Sequence, residues 1–302
     1  MTRPSTATKL PLEIVEIIID YLQYDRRSLR ACTLTCYSWY IAAVPCLHDT
    51  LIVYMGDPNF RWREPISRMH TLGLLPLVKT FWICRGREYS RVELSKKPFN
   101  YRFSHQFSAL TNVQELEIEH LDIPSFMPGI QRYFCHFLPT VKSLSLTEPR
   151  GSRRQIIYFI GLFQHLQDLS VTNDRVIFEE ESVDDLSLFP SFIPPLDGWL
   201  KINDFTRVEF LEDMIDLFGG MKFRYMVLFN VVEMRLLLDA CAKTLQSVML
   251  YPSDPRGEQL PLYLRKLWPM IPQLNPPFKT LIYRGTSRFG VSKSRYHLLI
   301  AR

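Results

Sequence analysis

Cysteine and histidine, the residue types that most readily bind metals, come closest together between Cys32 and His48. Cys32 and Cys36 lie about one helical turn apart, and Cys46 and His48 follow shortly afterwards. Structural zinc sites usually take closely spaced cysteine pairs in a loop, and this spacing matches none of the common arrangements. We therefore interpret these thiols as small core residues and predict neither a metal nor a cofactor.

The motifs of common catalytic sites are absent from the sequence. It contains no G-x-S-x-G, no phosphate-binding or dinucleotide-binding glycine pattern and no H-E-x-x-H. The seven histidines are dispersed along the chain, and these four form no recognisable catalytic pair with a nucleophile or a carboxylate: His105, His120, His136 and His165. We predict no catalytic residue and a protein that is not an enzyme. A site assembled from residues distant in sequence is the least favoured alternative.

Composition is that of a folded protein, because 47% of the 302 residues are hydrophobic and 22% are charged. The six cysteines accompany neither a secretion signal nor an apolar stretch long enough for a membrane span. We therefore expect reduced thiols and a cytoplasmic or nuclear protein. Residues 1–9, MTRPSTATK, are polar and predict a flexible tail.

Positive charge is concentrated at the C-terminal end of the chain. No acidic residue follows Glu258, whereas eight basic residues do: Arg265, Lys266, Lys279, Arg284, Arg288, Lys293, Arg295 and Arg302. Such an end can attract nucleic acid through non-specific electrostatics, although basic surfaces are more often simply solvated. We therefore consider nucleic-acid binding only as part of an alternative function.

The segment LPLEIVEIIIDYL, Leu10 to Leu22, has more apolar surface than a half-buried helix requires. On a helical projection Glu13, Glu16 and Asp20 fall in one stripe about 80° wide, and the remaining positions are apolar. Such a helix can bury two faces, one against its own domain and one against a partner. A helix buried inside a large domain is the alternative.

A second amphipathic helix is predicted after the YDRRS segment. Leu29, Cys32, Cys36, Trp39 and Ala43 recur at helical spacing, and Val44-Pro45 should end the helix. A short helix and a strand-like LIV are expected to follow.

These residues resemble an F-box, a family defined by an opening Leu-Pro, two patterned helices and a closing segment such as LHDTL. The resemblance covers residues 10–50 and implies a three-helix module that docks on the Skp-type adaptor of a cullin–RING ubiquitin ligase. The residues that it assigns to adaptor binding are Leu10, Pro11, Ile14, Ile17, Ile18, Leu22, Leu29, Cys32, Cys36 and Trp39. Trp39 is either a core anchor or an interface hot spot.

A short sequence pattern recurs through residues 51–302, and we call each copy of it a phrase. LPLVKTFWI, LTNVQELEI, LPTVKSLSL and FQHLQDLSV share three apolar positions at fixed spacing, and FRYMVL, LQSVML and FKTLIY are weaker copies. Their leading apolar anchors are Val78, Val113, Val141, Leu166, Phe223, Leu245 and Phe278, with a degenerate copy near Trp199 to Ile202. Most spacings approach the period of about 20 to 29 residues of leucine-rich repeats.

Helical periodicity between the phrases predicts strand–helix units that stack into an α/β solenoid. The chain thus resembles a fungal-type F-box protein with degenerate leucine-rich repeats, in which residues 51–302 form the substrate-recognition domain. It departs from the repeat consensus because Asn173 and Asn230 fall one residue early for the asparagine ladder. An irregular α/β domain is the alternative fold.

Alternate strand residues should point away from the solenoid core, along its inner face. They change from acidic and small polar side chains in the early units to apolar and aromatic ones in the later units. We predict that this later patch binds the target protein through Tyr225, Phe229, Met249 and Tyr251. In the alternative, the C-terminal segment folds over the patch.

The resemblance implies a non-catalytic substrate-recognition subunit of an SCF-type ubiquitin ligase, acting in ubiquitin-dependent protein degradation. The F-box would hold the adaptor, and the repeats would present an unidentified target protein. The alternative is an interaction scaffold outside a ligase, which contacts nucleic acid through the basic C-terminal end.

Overall fold

The computed structural model describes residues 10–55, 63–85, 107–120, 123–126, 135–172, 192–203, 208–229, 234–251, 280–284 and 295–298. The predicted tail, residues 1–9, lies outside these residues, as do His105, Asn173, Asn230 and Phe278. Of the eight C-terminal basic residues, only Arg284 and Arg295 lie within the described backbone, so the predicted basic surface falls outside the described side chains.

Three helices form the N-terminal module: α1 Leu12–Tyr21, α2 Arg26–Thr33 and α3 Tyr37–Leu47. Pro11 precedes α1 in an extended conformation, and its missing N–H removes one donor that the first turn could not satisfy. Asp25 caps α2, because its side chain accepts the backbone N–H groups of Arg27 and Ser28 at 3.1 and 3.2 Å.

The prediction of one continuous second helix was wrong. The segment splits into α2 and α3, with Cys36 fully extended at φ −163° and ψ 175°. At the break the hydroxyls of Thr33 and Thr35 donate to the carbonyls of Arg30 and Ala31, a local bonding pattern that competes with regular helix. Pro45 does not end α3, which runs on to Leu47 because the missing bond falls in its last turn.

A small separate core holds the three helices together. Val15 and Ile19 of α1 pack with Leu29 and Cys32 of α2 and Ala43 of α3. Further apolar residues flank this cluster: Leu22, Trp39, Ala42, Cys46 and Leu47. None of these residues belongs to the larger core of the sheet.

Within the described residues, ten strands form one sheet, in the order in which they occur along the chain. They are β1 Thr50–Met55, β2 Thr80–Arg85, β3 Glu115–Glu119, β4 Ser143–Thr147, β5 Asp168–Thr172, β6 Trp199–Asn203, β7 Tyr225–Phe229, β8 Ser247–Tyr251, β9 Thr280–Arg284 and β10 Arg295–Leu298. Strands β1 to β9 run parallel, and β10 is antiparallel to β9. The chain is therefore a mixed α/β protein, as predicted.

Described helices lie between five pairs of successive strands: α4 Arg63–Thr71 between β1 and β2, α5 Ile123–Phe126 between β3 and β4, α6 Arg153–Ile160 between β4 and β5, α7 Val208–Phe218 between β6 and β7, and α8 Met234–Ala240 between β7 and β8. A 3₁₀ turn at Leu75–Leu77 follows α4. The apolar side chains of the helices pack on the core-facing side of the strands, as Ile156 and Ile157 do with Leu144 and Leu146 in one continuous core. Among the described residues, none of the helices combines the length and the hydropathy that a bilayer span requires.

Each predicted phrase forms a strand, which begins two residues after the apolar anchor. The described anchors are all buried: Val78, Val113, Val141, Leu166, Phe223 and Leu245. The residue between the anchor and the strand has a backbone carbonyl that accepts hydrogen bonds from two successive backbone N–H groups of the next unit. Gln114, for example, accepts from Lys142 and Ser143 at 2.8 and 3.0 Å. This repeated bonding fixes the register from unit to unit.

Candidate interaction surfaces

Apolar side chains form an exposed stripe along α1. Ile14, Ile17 and Tyr21 are 43%, 52% and 86% exposed, and on a helical projection they span about 60°. The buried pair Val15 and Ile19 lies about 150° away around the helix. We call Ile14, Ile17 and Tyr21 the α1 stripe. The helix therefore has two apolar faces, of which only one is buried in the described structure.

Further apolar side chains of the module are also exposed: Leu34, Tyr37, Tyr40 and Ile41. No role was predicted from the sequence for Tyr21, Tyr37, Tyr40 or Ile41. Tyr37, Tyr40 and Ile41 have the spacing of neighbours on one helical face, a signal that could have identified them. It was missed because α3 was predicted to be part of a longer helix with Trp39 on its apolar face.

The ten predicted adaptor residues do not share one surface. Leu10, Pro11, Ile14 and Ile17 are exposed, and Ile18, Leu22, Cys36 and Trp39 are half-buried, whereas Leu29 and Cys32 are buried in the core of the module. Leu29 and Cys32 thus support the helices from within. The indole N–H of Trp39 is buried and has no hydrogen-bond partner, which is consistent with a side chain held by packing.

The thiols of the module differ in their surroundings. Burial raises the pKa of Cys32 and is also the main cause of a raised pKa at Cys46. The negative charges of Asp20 and Asp49 raise the pKa of Cys46 further. The Ser38 hydroxyl, 3.3 Å from the sulfur, is the main cause of a lowered pKa at Cys36. All six cysteines lie within the described residues, and none of them forms a disulfide bond. Within the described residues, no three His, Cys, Asp or Glu side chains are grouped in a way that could hold a metal ion.

One face of the sheet carries the side chains that alternate with the core residues, and we call it the outward face. Core-facing Leu116, Leu144 and Leu169 are buried, whereas the residues on either side of them in their strands are half-buried or exposed. This alternation is the one predicted from the phrases. Cys84 lies on the outward face but is buried, and burial together with Glu119 and Glu117 raises its pKa to about 12.

Three glutamates make the early part of the outward face acidic. Glu115, Glu117 and Glu119 occupy alternate positions of β3, and Glu115 accepts a hydrogen bond from the hydroxyl of Thr80 at 3.0 Å. Burial raises the pKa of Glu117, and the charges of Glu115 and Glu119 raise it further, while Lys201 acts in the opposite direction. Small hydroxyl residues follow in register on β4 and β5.

Aromatic residues occupy the later part of the outward face. The rings of Trp199 and Tyr225 stack with centroids 4.7 Å apart, and the Tyr225 hydroxyl donates to Gln246 at 3.2 Å. The register pairs Val227 with Met249 and Phe229 with Tyr251, so the four predicted target-binding positions lie on the same face of β7 and β8. Tyr225 and Met249 are half-buried, and the side chains of Phe229 and Tyr251 lie outside those described.

Trp199 was not predicted as a surface residue. It begins β6 and is 47% exposed, and it extends the aromatic surface by one strand. Its phrase lacks the clear apolar spacing of the other copies, so the outward positions of β6 were not assigned. The alternation of Trp199 with the buried Leu200 is the sequence signal that could have identified it.

Comparison of the chain with protein-family models, with curated proteins and with solved structures gave no match. The function must therefore be inferred from the residues and their geometry.

Proposed function

We propose that the protein is the substrate-recognition subunit of an SCF-type ubiquitin ligase. Residues 10–50 act as an F-box that binds a Skp-type adaptor. Residues 51–302 act as an irregular leucine-rich-repeat solenoid that holds the target protein. The chain itself catalyses nothing. It raises the effective concentration of target lysines near the conjugating enzyme.

The observation that carries this proposal is the α1 stripe. A helix that buries Val15 and Ile19 in its own module and leaves Ile14, Ile17 and Tyr21 exposed has a second apolar face without a partner in the described residues. Clustered apolar side chains on a surface commonly mark a protein-binding site. A module of about 40 residues also gains stability from burial against a partner, because its own core is small.

The sheet supports the second half of the proposal. Strands in chain order, each parallel to the preceding one from β1 to β9, are the arrangement expected when similar units stack on their neighbours. The target then lies on the outward face, where Trp199, Tyr225 and Met249 provide large side chains of the kind that dominate protein interfaces.

Co-purification with a Skp-type adaptor tests the proposal. We expect the full chain to retain the adaptor and Ile14→Asp or Ile17→Asp to weaken the complex at least about tenfold, as loss of an interface hot spot does. Leu12→Asp is the matched control. Leu12 is on the same helix and is 44% exposed, but it lies about 170° from the α1 stripe.

The proposal fails if the full chain binds no Skp-type adaptor. It also fails if Leu12→Asp weakens the complex as much as Ile14→Asp does, because the α1 stripe would then have no special role. Far-ultraviolet circular dichroism of each variant separates loss of binding from loss of the fold.

A further inference from the structure

A cavity lies where the N-terminal module meets the first strand of the sheet. It is half open to solvent and has a volume of about 380 Å³ between the helices α2, α3 and α4 and the start of β1, which is in the range of small-ligand sites. The residues that matter for its chemistry are Arg26, Arg30, His48, Leu47, Ile52 and Met69. None of them belongs to the α1 stripe or to the aromatic part of the outward face.

Two arginines line one side of the cavity. Arg26 and Arg30 are four residues apart on α2, which places them on the same face of the helix. Both are exposed, and neither guanidinium forms an ion pair or a hydrogen bond within the described part of the chain. Two unpaired guanidiniums beside a cavity provide donors arranged to bind the oxygens of an anion.

His48 is the third polar group. It is half-buried at the end of α3. Burial is the main cause of its lowered pKa, and the positive charge of Arg26 lowers the pKa further. The carboxylate of Asp49 acts in the opposite direction but has the smallest effect of the three. Asp49 also accepts the hydroxyl hydrogen of Thr50 at 2.9 Å. The neutral imidazole of His48 can donate one N–H to an anion held by the arginines.

Apart from Thr50, the rest of the cavity is lined by apolar residues. Leu47, Ile52 and Met69 line it from α3, β1 and α4, and each is half-buried. An inorganic anion leaves such a surface uncovered. A ligand with an apolar body covers it and gains the free energy of apolar burial in addition to the ionic contacts.

We propose that this cavity binds a phosphate monoester carried on an apolar body, with the phosphoryl group against Arg26, Arg30 and His48. A phosphate monoester has a charge of about −1.5 to −2 at neutral pH, which two guanidiniums match better than they match a carboxylate. The body of the ligand packs on Leu47, Ile52 and Met69. This site shares no residue with the α1 stripe.

Isothermal titration of the full chain with phenyl phosphate tests the site. We expect saturable binding, and we expect Arg26→Gln combined with Arg30→Gln to weaken it at least tenfold. Arg27→Gln is the matched control, since Arg27 lies on the same helix, is exposed and does not line the cavity. Inorganic phosphate should bind at least tenfold more weakly than phenyl phosphate, because it leaves the apolar surface uncovered.

Three results overturn the inference. One is the absence of phenyl phosphate binding at millimolar concentration in low salt, where ionic contacts are strongest. Another is an equal loss of affinity in Arg27→Gln, which indicates a general electrostatic attraction. The third is equal affinity for inorganic phosphate. Thermal unfolding of the arginine variants without ligand shows whether they retain the fold.

Two sources of the phosphoryl group can be separated by the same titration. A short peptide with a central phosphotyrosine binds more tightly than phenyl phosphate if the natural ligand is a modified side chain of a protein, because the flanking residues add contacts. Equal or weaker binding of the peptide supports a free phosphorylated metabolite. Both outcomes retain the phosphoryl site.

Discussion

At the scale of single residues, Gly198 is constrained by a neighbouring carboxylate. Asp168 accepts the backbone N–H of Trp199 at 2.6 Å, and its carboxylate occupies the space that a side chain at position 198 would need. We expect Gly198→Ala to lower the free energy of unfolding by about 1–3 kcal/mol, since the carboxylate must move and its hydrogen bond is lost. Urea denaturation measures the change.

A double-mutant cycle isolates the cause of this loss. In the Asp168→Ala background the obstructing carboxylate is absent, so Gly198→Ala should cost distinctly less than it does alone. Equal costs in the two backgrounds would show that the conflict lies elsewhere, for example with the carbonyl oxygen of Gln167, which is 3.2 Å from the place that the new methyl carbon would take.

Glu117 gives the protein a defined pH dependence. Its pKa is raised from the ordinary value of 4.5, chiefly by burial and then by Glu115 and Glu119, so the folded state binds its proton more tightly than the unfolded state does. The stabilising effect of protonation is fully present below pH 4.5 and is lost as the pH rises through the folded-state pKa. We therefore expect Glu117→Gln to raise the free energy of unfolding at about pH 7.

Urea titrations of wild type and Glu117→Gln from about pH 4 to pH 8 check this expectation. The difference between the two proteins should shrink towards about pH 4, where the wild-type side chain is protonated in both states. Glu16→Gln is a suitable control because Glu16 lies on the exposed polar side of α1. A difference for Glu117→Gln that stays constant over the whole range would contradict the assignment.

At the scale of elements, α6 begins with a capping box. The Ser152 hydroxyl accepts the backbone N–H of Gln155 at 3.2 Å, and the Gln155 side chain accepts the backbone N–H of Ser152 at 3.1 Å. We expect Ser152→Ala to lower the free energy of unfolding by about 1 kcal/mol because Ser152 is buried and the N–H of Gln155 loses its acceptor. Ser152→Thr retains the acceptor and should cost less in the same denaturation experiment.

Strands β1 to β9 were predictable because each follows a local apolar pattern, whereas β10 was not predicted. The anchor Val141 and the alternating Leu144 and Leu146 must all reach the core, and only an extended chain beginning near residue 143 achieves this. The break between α2 and α3 was not predictable from periodicity, since Leu29 and Trp39 have compatible spacing on either side of it. At the break, the hydroxyls of Thr33 and Thr35 bond to carbonyls of the preceding turn, which competes with regular helix.

The candidate surfaces were predicted in part. The two-faced character of the first helix follows from the narrow acidic stripe around Glu16, and the positions of Tyr225 and Met249 follow from strand alternation. The cavity beside Arg26 and Arg30 could not be predicted. It combines Arg30 of α2 with Met69 of α4, and the distance between elements that far apart in sequence depends on tertiary packing.

At the scale of the whole molecule, two cores share no residue. The cluster around Leu29 holds the N-terminal module, and the cluster that includes Leu144 holds the sheet and its helices. Leu29→Ala and Leu144→Ala each remove a fully buried side chain and should cost about 2–5 kcal/mol locally. We expect each change to destabilise its own core much more than the other.

Hydrogen exchange followed by mass spectrometry reports the two cores separately. Leu29→Ala should accelerate exchange in peptides from residues 12–47 and leave those from residues 143–172 close to wild type, and Leu144→Ala should do the reverse. Uniform acceleration along the chain in both variants would instead indicate a single cooperative unit, with the module coupled to the sheet through the contacts around the cavity beside Arg26 and Arg30.

The order of the strands has a consequence for protein synthesis. Each described strand pairs only with the strands that precede and follow it in the chain, so its pairing does not wait for a distant segment. A ribosome adds about 5–20 residues per second, and Val141 and Leu166 are 25 residues apart, so successive units emerge at intervals of about 1–5 seconds. Each new strand can therefore add to an edge that is already formed, and the sheet can grow from its N-terminal end while translation continues.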